Sequence, residues 1–151
     1  MMIKMSKRAL KDLPLQEITL RKYEEPSGLQ GRELTKKFLL SVGMLQPGES
    51  RDVIVDIFHA LLMARKDKRP MEVEHFINQL KGKPGASAPN VRRQLRRLRE
   101  LKLVEKLPEG YRIVEFGSIK PVIDSFVTEY LVRPALERVK QYAEKLDASD
   151  K

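Results

Sequence analysis

Residues 87–113 read SAPNVRRQLRRLRELKLVEKLPEGYRI, and this stretch decides the fold. Ser87 is a favourable helix N-cap, and Pro89 fits the first helical turn, where its missing N–H costs nothing. At helical spacing, one narrow stripe then contains Val91, Leu95, Leu98 and Lys102. The opposite face is almost entirely guanidinium and holds Arg92, Arg93, Arg96 and Arg97. The pattern predicts an amphipathic helix over 88–101 with one apolar and one basic face.

Beyond this helix the pattern changes to that of a β-hairpin. Two short runs, 103–107 and 111–114, have the composition of strands, and the Pro108-Glu109-Gly110 segment between them is a turn signal. A basic helix is therefore expected to run directly into a hairpin.

Two helices are predicted before this stretch, over 50–64 and 70–80. Ser50 is the expected N-cap of the first, and Pro70 is expected in the first turn of the second. The apolar stripes contain Val53, Ile54, Ile57, Phe58, Leu61 and Leu62 in the first helix, and Val73, Phe76, Ile77 and Leu80 in the second. The first of these helices should be the most buried helix of the domain, because its stripe is wide.

The N-terminal part is predicted as a basic flexible arm over 1–15, followed by an extension over 16–46. Apolar and polar residues alternate over 16–23, which indicates a strand. A helix is predicted over 31–44, and its apolar face is expected to contain Leu34, Phe38 and Val42.

The C-terminal part is predicted as a helix over 118–146 that is capped by Ser118, with a polar tail over 147–151. A proline inside a helix kinks or breaks it, so Pro134 should divide this helix in two. The two halves carry apolar stripes with seam spacing, which contain Ile119, Ile123, Phe126 and Tyr130, and Val132, Leu136, Val139, Ala143 and Leu146.

These stripes can pack against the helix at 31–44 or against a second copy of the chain. The helix at 31–44 would be only about 21 Å long, against about 43 Å for the C-terminal segment, so it cannot cover both halves. Open apolar stripes usually mark interfaces. We favour a homodimer, with an interface of Phe126, Tyr130, Leu136, Val139, Tyr142 and Leu146.

The formal net charge of +9 is concentrated in one segment. Residues 81–107 contain nine Lys or Arg and two Asp or Glu, whereas residues 118–151 contain six of each kind. A basic helix and a basic hairpin next to each other form the electrostatic footprint expected for nucleic acid. The alternative is an ordinary solvated basic helix.

Composition argues against catalysis and bound metals. The chain has no cysteine, which excludes disulfides, thiol catalysis and thiolate metal sites. Its two histidines, His59 and His75, have no partners at metal-ligand spacing, and we find no catalytic triad and no glycine-rich phosphate loop. We therefore expect no enzyme, no metal and no cofactor. No apolar run approaches the roughly 20 residues of a membrane span, and the start has no signal-peptide core, so we expect a cytoplasmic protein.

The order of these elements resembles the winged helix-turn-helix family of DNA-binding transcription regulators, and in detail its small archaeal MarR/ArsR-like members. The resemblance covers about residues 50–115. Its motif is Ser87-x-x-Asn90-Val91-Arg92-Arg93-x-Leu95-Arg96-Arg97-Leu98-x-x-Leu101-x-Leu103-Val104, followed by Pro108-Glu109-Gly110. It implies a mainly α fold with a small β-hairpin wing (α+β): a winged-helix domain over 47–117, an N-terminal helical extension and a C-terminal dimerisation helix over 118–146.

The resemblance also implies a sequence-specific regulator of transcription that binds double-stranded DNA. The helix at 88–101 would enter the major groove, and the wing at 103–114 would lie on the backbone. Arginine reads guanine and asparagine reads adenine, so base contacts are implied for Ser87, Asn90, Arg92, Arg93 and Arg96. Phosphate contacts are implied for Lys81, Lys83, Arg97, Arg99, Lys102, Lys106 and Arg112. Two other classes remain open: a winged-helix protein–protein adaptor of chromosome or transcription machinery, and an RNA-binding protein.

Overall fold

The computed structural model describes residues 11–149, which form a mainly helical fold with one small antiparallel hairpin. The elements before the hairpin are helices α1 (Gly31–Ser41), α2 (Val53–Arg65), α3 (Val73–Gln79) and α4 (Ala88–Glu100). The hairpin strands are β1 (Val104–Leu107) and β2 (Gly110–Ile113), and short 3₁₀ turns lie at Pro26–Gly28 and Val114–Phe116. The last helix, α5, has a first α-helical turn (Lys120–Val122), a π-helical section (Ile123–Val132) and a distal α-helical section (Arg133–Ser149). The predicted α+β class is thereby confirmed.

Helix α2 lies at the centre of the core. Its buried residues are Val53, Ile54, Val55, Ile57, Phe58, Leu61 and Ala64. The helix packs against α1, α4 and β2, so its apolar side chains are covered on several sides. The side chain of Phe58 is 0% exposed, and its ring stacks on that of Phe38 in α1 with 5.8 Å between the centroids. The prediction that this helix is the most buried one is confirmed.

The starts of α2 and α3 differ from the predicted ones by a few residues. Asp52 is the N-cap residue of α2, and Ser50, the predicted cap, is exposed. Glu72 is the N-cap residue of α3, where it forms a reciprocal capping box with His75. Pro70 therefore precedes the helix instead of lying in its first turn.

The reason for the late start of α3 is a backbone pairing that the sequence pattern did not predict. Met71 forms an antiparallel bridge with Tyr111 of β2, and each backbone N–H donates to the other carbonyl at 2.8 Å. Gly110 lies against this bridge with a φ of +139°, and a Cβ atom at this position would be 2.7 Å from the carbonyl carbon of Met71. Only glycine fits so close an approach of two backbones.

The predicted hairpin forms, with its strands shifted by one residue. Val104 pairs with Ile113 at the open end, and Leu107 pairs with Gly110 next to the turn. Pro108 and Glu109 form the connection between the strands.

Of the three residues predicted on the buried face of α1, Val42 is buried and Phe38 packs against the core, whereas Leu34 is exposed. Leu34 is 41% exposed, although the apolar pattern placed it in the core. The buried residues of this part are Thr35, Leu39, Leu40 and Val42. Arg32 Nε donates to Asp56 Oδ1 of α2 at 2.9 Å, and Thr35 Oγ1 lies 3.2 Å from His59 Nδ1 of α2. The face toward α2 is thus partly polar, and an apolar pattern does not show these polar contacts.

The strand predicted over 16–23 does not form in the described part of the chain. The segment is extended and is held by a backbone hydrogen bond from Arg21 N to Ser41 O at 2.9 Å. The guanidinium of Arg21 also donates to the carbonyls of Leu40 and Leu45, at 2.8 and 3.2 Å. The bond to Ser41 O satisfies a carbonyl group of the last turn of α1, and the guanidinium bonds hold the segment against the end of this helix and the turn that follows it. Residues 1–10, which contain most of the predicted arm, lie outside the described residues.

Helix α5 does not end at Pro134, but next to this residue it changes from the π-helical section to the distal α-helical section, so the predicted division is observed as a change of helix type. Proline has no N–H, and the carbonyl of Tyr130, four residues earlier, loses its α-helical donor. The side chain of Gln16 replaces that donor, because its Nε2 donates to Tyr130 O at 2.7 Å. The helix continues to Ser149, so the predicted polar tail is helical as far as the structure describes it.

The π-helical section changes which residues of α5 face the core. Hydrogen bonds from i to i+5 widen the turn of the helix. Residues that share a face are therefore four apart, whereas in an α-helix the spacing alternates between three and four. The stripe toward the core contains Ile119, Ile123, Val127 and Leu131. Phe126 is half-buried and Tyr130 is exposed, contrary to the predicted stripe that contained both. Among residues 11–149, no helix combines the length and apolar character needed to cross a membrane.

Candidate nucleic-acid interface

Helix α4 forms as the sequence predicts and separates its two faces cleanly. The Ser87 hydroxyl accepts a hydrogen bond from the backbone N–H of Asn90 at 3.4 Å, and Pro89 lies in the first turn. The side chains of Val91, Leu95 and Leu98 are all 0% exposed, and the helix packs against α2 and α3. This burial fixes the orientation of α4 and turns its other face to solvent.

The outer face of α4 carries exposed guanidinium groups. These belong to Arg92, Arg93, Arg96 and Arg99. Within residues 11–149, none of the four forms an ion pair or a side-chain hydrogen bond, although carboxylates are available elsewhere on the surface. Four like charges on one helix repel each other, so a helix face of this kind is suited to an anionic partner.

A groove lies between the second half of α4 and strand β1, and we call it the basic groove. Its volume is about 760 Å³. The charged side chains that line it are Arg96, Arg99, Lys102, Lys106 and Arg112, together with Glu100 and Glu105. Positive charges exceed negative ones, so the groove attracts anions from solution.

Lys102 marks the junction between α4 and this groove. Its φ is +62°, in the left-handed region that glycine usually occupies at a helix end. Lys102 N donates to Arg99 O at 2.9 Å and Leu103 N donates to Leu98 O at 3.3 Å, which is the Schellman pattern of helix termination. This turn directs the chain from α4 into β1 and leaves the Lys102 ammonium at the groove.

Arg112 is only partly available in the groove. Its Nε donates to Glu105 Oε2 at 2.8 Å across the hairpin, and its guanidinium lies 4.9 Å from the ring centroid of Phe116. The pair cancels one positive charge of the groove.

On the other side of α4, the side chains of Asn90, Gln94 and Arg97 form a chain of hydrogen bonds. Asn90 Nδ2 donates to Gly85 O at 2.7 Å, and Gln94 Nε2 donates to Asn90 Oδ1 at 3.2 Å. Arg97 donates to Gln94 Oε1 at 2.7 Å and to Met44 O at 2.8 Å. Arg97 is half-buried, so its assignment to the exposed basic face is corrected, and both amide atoms of Asn90 have hydrogen-bond partners within the chain. This chain fastens α4 to the segment after α1.

Arg93 lies beside this chain, in a cleft of about 440 Å³ between the 44–54 segment and α4. Arg51 lines the same cleft and is exposed. Arg51 stands alone in a turn outside any periodic pattern, so no sequence signal marks it. Its position places a further positive charge beside the start of α4.

Lys83 tethers the loop that precedes α4. Its Nζ lies 2.8 Å from Asp56 Oδ1, and the same carboxylate accepts from Arg32 of α1. Burial raises the pKa of Asp56, but the hydrogen bonds from Arg32 and Lys83 outweigh it and hold the pKa below its ordinary value. The hydrogen bond to Asp56 also stabilises the charged guanidinium, and it therefore raises the pKa of Arg32. Lys83 is therefore engaged within the chain, whereas Lys81 is exposed.

The residues predicted for the dimer interface divide into two groups. Leu136, Val139, Tyr142 and Leu146 lie on the distal section of α5 and are between 51% and 69% exposed. Phe126 and Tyr130 lie earlier, in the π-helical section, where their rings stack with 5.9 Å between the centroids. Lys102 Nζ lies 5.8 Å from the centroid of the Phe126 ring, which places this pair beside the basic groove.

Comparisons of the chain with protein-family models, with curated proteins and with solved structures gave no significant match. Among residues 11–149, no cluster of three or more His, Asp or Glu side chains is arranged to hold a metal ion.

Proposed function

We propose that this chain is a transcription regulator of the winged-helix type that binds double-stranded DNA in a sequence-specific manner. Helix α4 is the recognition helix in the major groove, and the β1–β2 hairpin is the wing on the backbone. The observation that carries the proposal is the row of exposed, unpaired arginines on α4, which continues into the basic groove.

The chemistry of this face suits a DNA duplex. The major groove of B-DNA is about 12 Å wide and admits an α-helix. A guanidinium group can donate two hydrogen bonds to O6 and N7 of guanine, and the exposed arginines near the start of α4 are placed to do so. We assign Arg92, Arg93 and Arg96 to base edges.

The remaining free cations are suited to the phosphate backbone. They are Lys81 in the loop before α4 and Arg99, Lys102 and Lys106 along the basic groove. Phosphate contacts position a protein on the duplex without reading its sequence. Ser87 and Asn90 leave the proposed set of base contacts, because the hydroxyl caps α4 and the amide bonds within the chain.

Binding to a DNA duplex should weaken steeply as salt is added. Each phosphate contact contributes about −0.9 to the slope of log K against log salt, so the four proposed contacts per subunit give a slope of roughly −3.6. Fluorescence anisotropy with a labelled duplex at several salt concentrations measures this slope. A double-stranded RNA of the same sequence is the comparison, because the deep and narrow major groove of A-form RNA excludes a helix. An affinity that is insensitive to salt, or an equal affinity for the RNA, would contradict the proposal.

We also propose that two copies of the chain pair through the distal section of α5. None of the residues of this 17-residue section is buried within the single chain. Its apolar residues follow the spacing of a helix-on-helix seam, which is self-complementary in a two-fold dimer. Such a dimer would present two recognition helices to two half-sites of a palindromic DNA.

The substitution Leu136→Asp should convert the dimer to a monomer. It places a charge in the middle of the seam, where pairing would remove it from water. Light scattering at micromolar concentration measures the mass. Gln141→Asp introduces the same charge on the opposite side of the same section and should leave the dimer intact. A monomer mass for the unaltered protein contradicts the dimer.

A further inference from the structure

The π-helical section of α5 presents two aromatic rings at the surface. Val127 in this section is 2% exposed, whereas Tyr130 is 66% exposed. A regular α-helix with the predicted spacing would have turned Phe126 and Tyr130 inward, and the wider π turn replaces them by Val127 and Leu131. π-helical turns are rare and often occur at functional sites.

The two rings continue the basic groove. They stack on each other with 5.9 Å between the centroids and 22° between the planes. The Nζ atom of Lys102, which lines the groove, lies 5.8 Å from the centroid of Phe126. A path along the groove, from Arg96 and Arg99 past Lys102, therefore ends on an exposed aromatic surface.

This combination has a specific ligand chemistry. Proteins that bind single-stranded nucleic acid combine cations that follow the backbone with aromatic side chains on which bases stack. Inside a duplex, the faces of each base are covered by its neighbours, so a duplex offers no base to Tyr130. A base that can stack there must be unpaired.

We propose that Phe126 and Tyr130 form a stacking platform for an unpaired DNA base, on a strand that extends beyond the duplex held by α4. Lys102 holds the phosphate between the paired and the unpaired nucleotide. The ligand of the complete site is thus a junction between double-stranded and single-stranded DNA. This inference rests on the proposed binding of α4 to a duplex.

The test compares a blunt duplex with the same duplex carrying a short single-stranded extension at one end or the other. One stacked base should raise the affinity by about 5- to 150-fold, measured by fluorescence anisotropy. Tyr130→Ala and Phe126→Leu should each remove most of this preference and leave binding to the blunt duplex unchanged. The leucine preserves apolar packing at the half-buried position 126. Ser125→Ala is the control, because Ser125 is an exposed residue of the same π-helical section with no assigned role, and it should keep the preference.

Each outcome separates the platform from the duplex proposal. Equal affinity of the unaltered protein for blunt and extended duplexes overturns the platform and leaves duplex binding intact. A preference for the extended duplex that survives both Tyr130→Ala and Phe126→Leu also overturns the platform. Loss of dimerisation in Tyr130→Ala without a change in this preference overturns it too, because a second copy of the chain then covers the rings. Tighter binding of single-stranded RNA than of the extended duplex overturns the assignment to DNA. If the protein binds the extended duplex but not the blunt one, and Tyr130→Ala abolishes this binding, the platform is supported and the duplex proposal is contradicted. If the protein binds neither DNA, both proposals are contradicted.

Discussion

The double substitution of Arg93 and Arg96 by alanine should lower the affinity for the best DNA site by about 2–6 kcal/mol, roughly 30-fold to 10⁴-fold. Both guanidinium groups are exposed and have no partner within the described residues. A bidentate contact to guanine discriminates against another base by about 1–3 kcal/mol, so each substitution removes one such contribution. Affinity for random duplexes should fall much less, because that binding depends on phosphate contacts.

The measurement is a titration of each variant against the selected site and against a random duplex of equal length. Lys106→Ala should weaken binding to both DNAs by the same factor, since Lys106 is assigned to phosphate. Arg138→Ala removes the same charge from the distal section of α5 and should change neither affinity by more than a few-fold. If the Arg93, Arg96 and Lys106 variants lose the same factor on every sequence, the assignment of base contacts is wrong.

The substitution Phe58→Ala should lower the free energy of unfolding by about 3–5 kcal/mol. Phe58 is 0% exposed at the centre of α2 and stacks on Phe38. Its removal costs the transfer free energy of the ring and leaves a cavity between helices that cannot close completely. This is a large part of the roughly 5–15 kcal/mol by which a typical domain is stable.

Urea denaturation followed by circular dichroism measures this loss. Met63→Ala is the control on the same helix, because Met63 is 46% exposed and its truncation should cost less than about 1 kcal/mol. A loss below about 1 kcal/mol for Phe58→Ala would show that α2 is not the centre of the core in solution.

The sequence was sufficient to predict α4 and the hairpin, because several independent signals agree there. Ser87 caps the helix, Val91, Leu95 and Leu98 share one buried face, and the turn residues follow at the required distance. Helix α2 was equally clear, since its apolar stripe is wide and its neighbours cover it. Such agreement between local propensity and apolar pattern is what makes a segment predictable.

The parts that failed depend on polar contacts and on unusual backbone geometry. Leu34 of α1 is exposed, whereas Arg32 and Thr35 of the same helix contact α2, and no apolar pattern contains those two residues. The π-helical section changes the helical period, so a stripe counted at 3.6 residues per turn selects Phe126 and Tyr130 in place of Val127 and Leu131.

The hydrogen bonds of Arg97 are not predictable from the sequence pattern either. The alternation of arginines around it gave no sign that its guanidinium bonds to the carbonyl of Met44, 53 residues earlier in the chain. Long-range hydrogen bonds of single side chains leave no periodic trace in a sequence.

The proposed phosphate contact of Lys102 places stability and binding in opposition at a single position. The left-handed backbone conformation of Lys102 costs a non-glycine residue about 1–2 kcal/mol, and glycine would adopt it freely. Glycine would also remove the ammonium group that lies between the groove and the Phe126 ring. Proteins commonly give up stability at positions that serve function. In an evolving population of this protein, selection for heat resistance alone would favour glycine at position 102, and selection for binding would retain lysine.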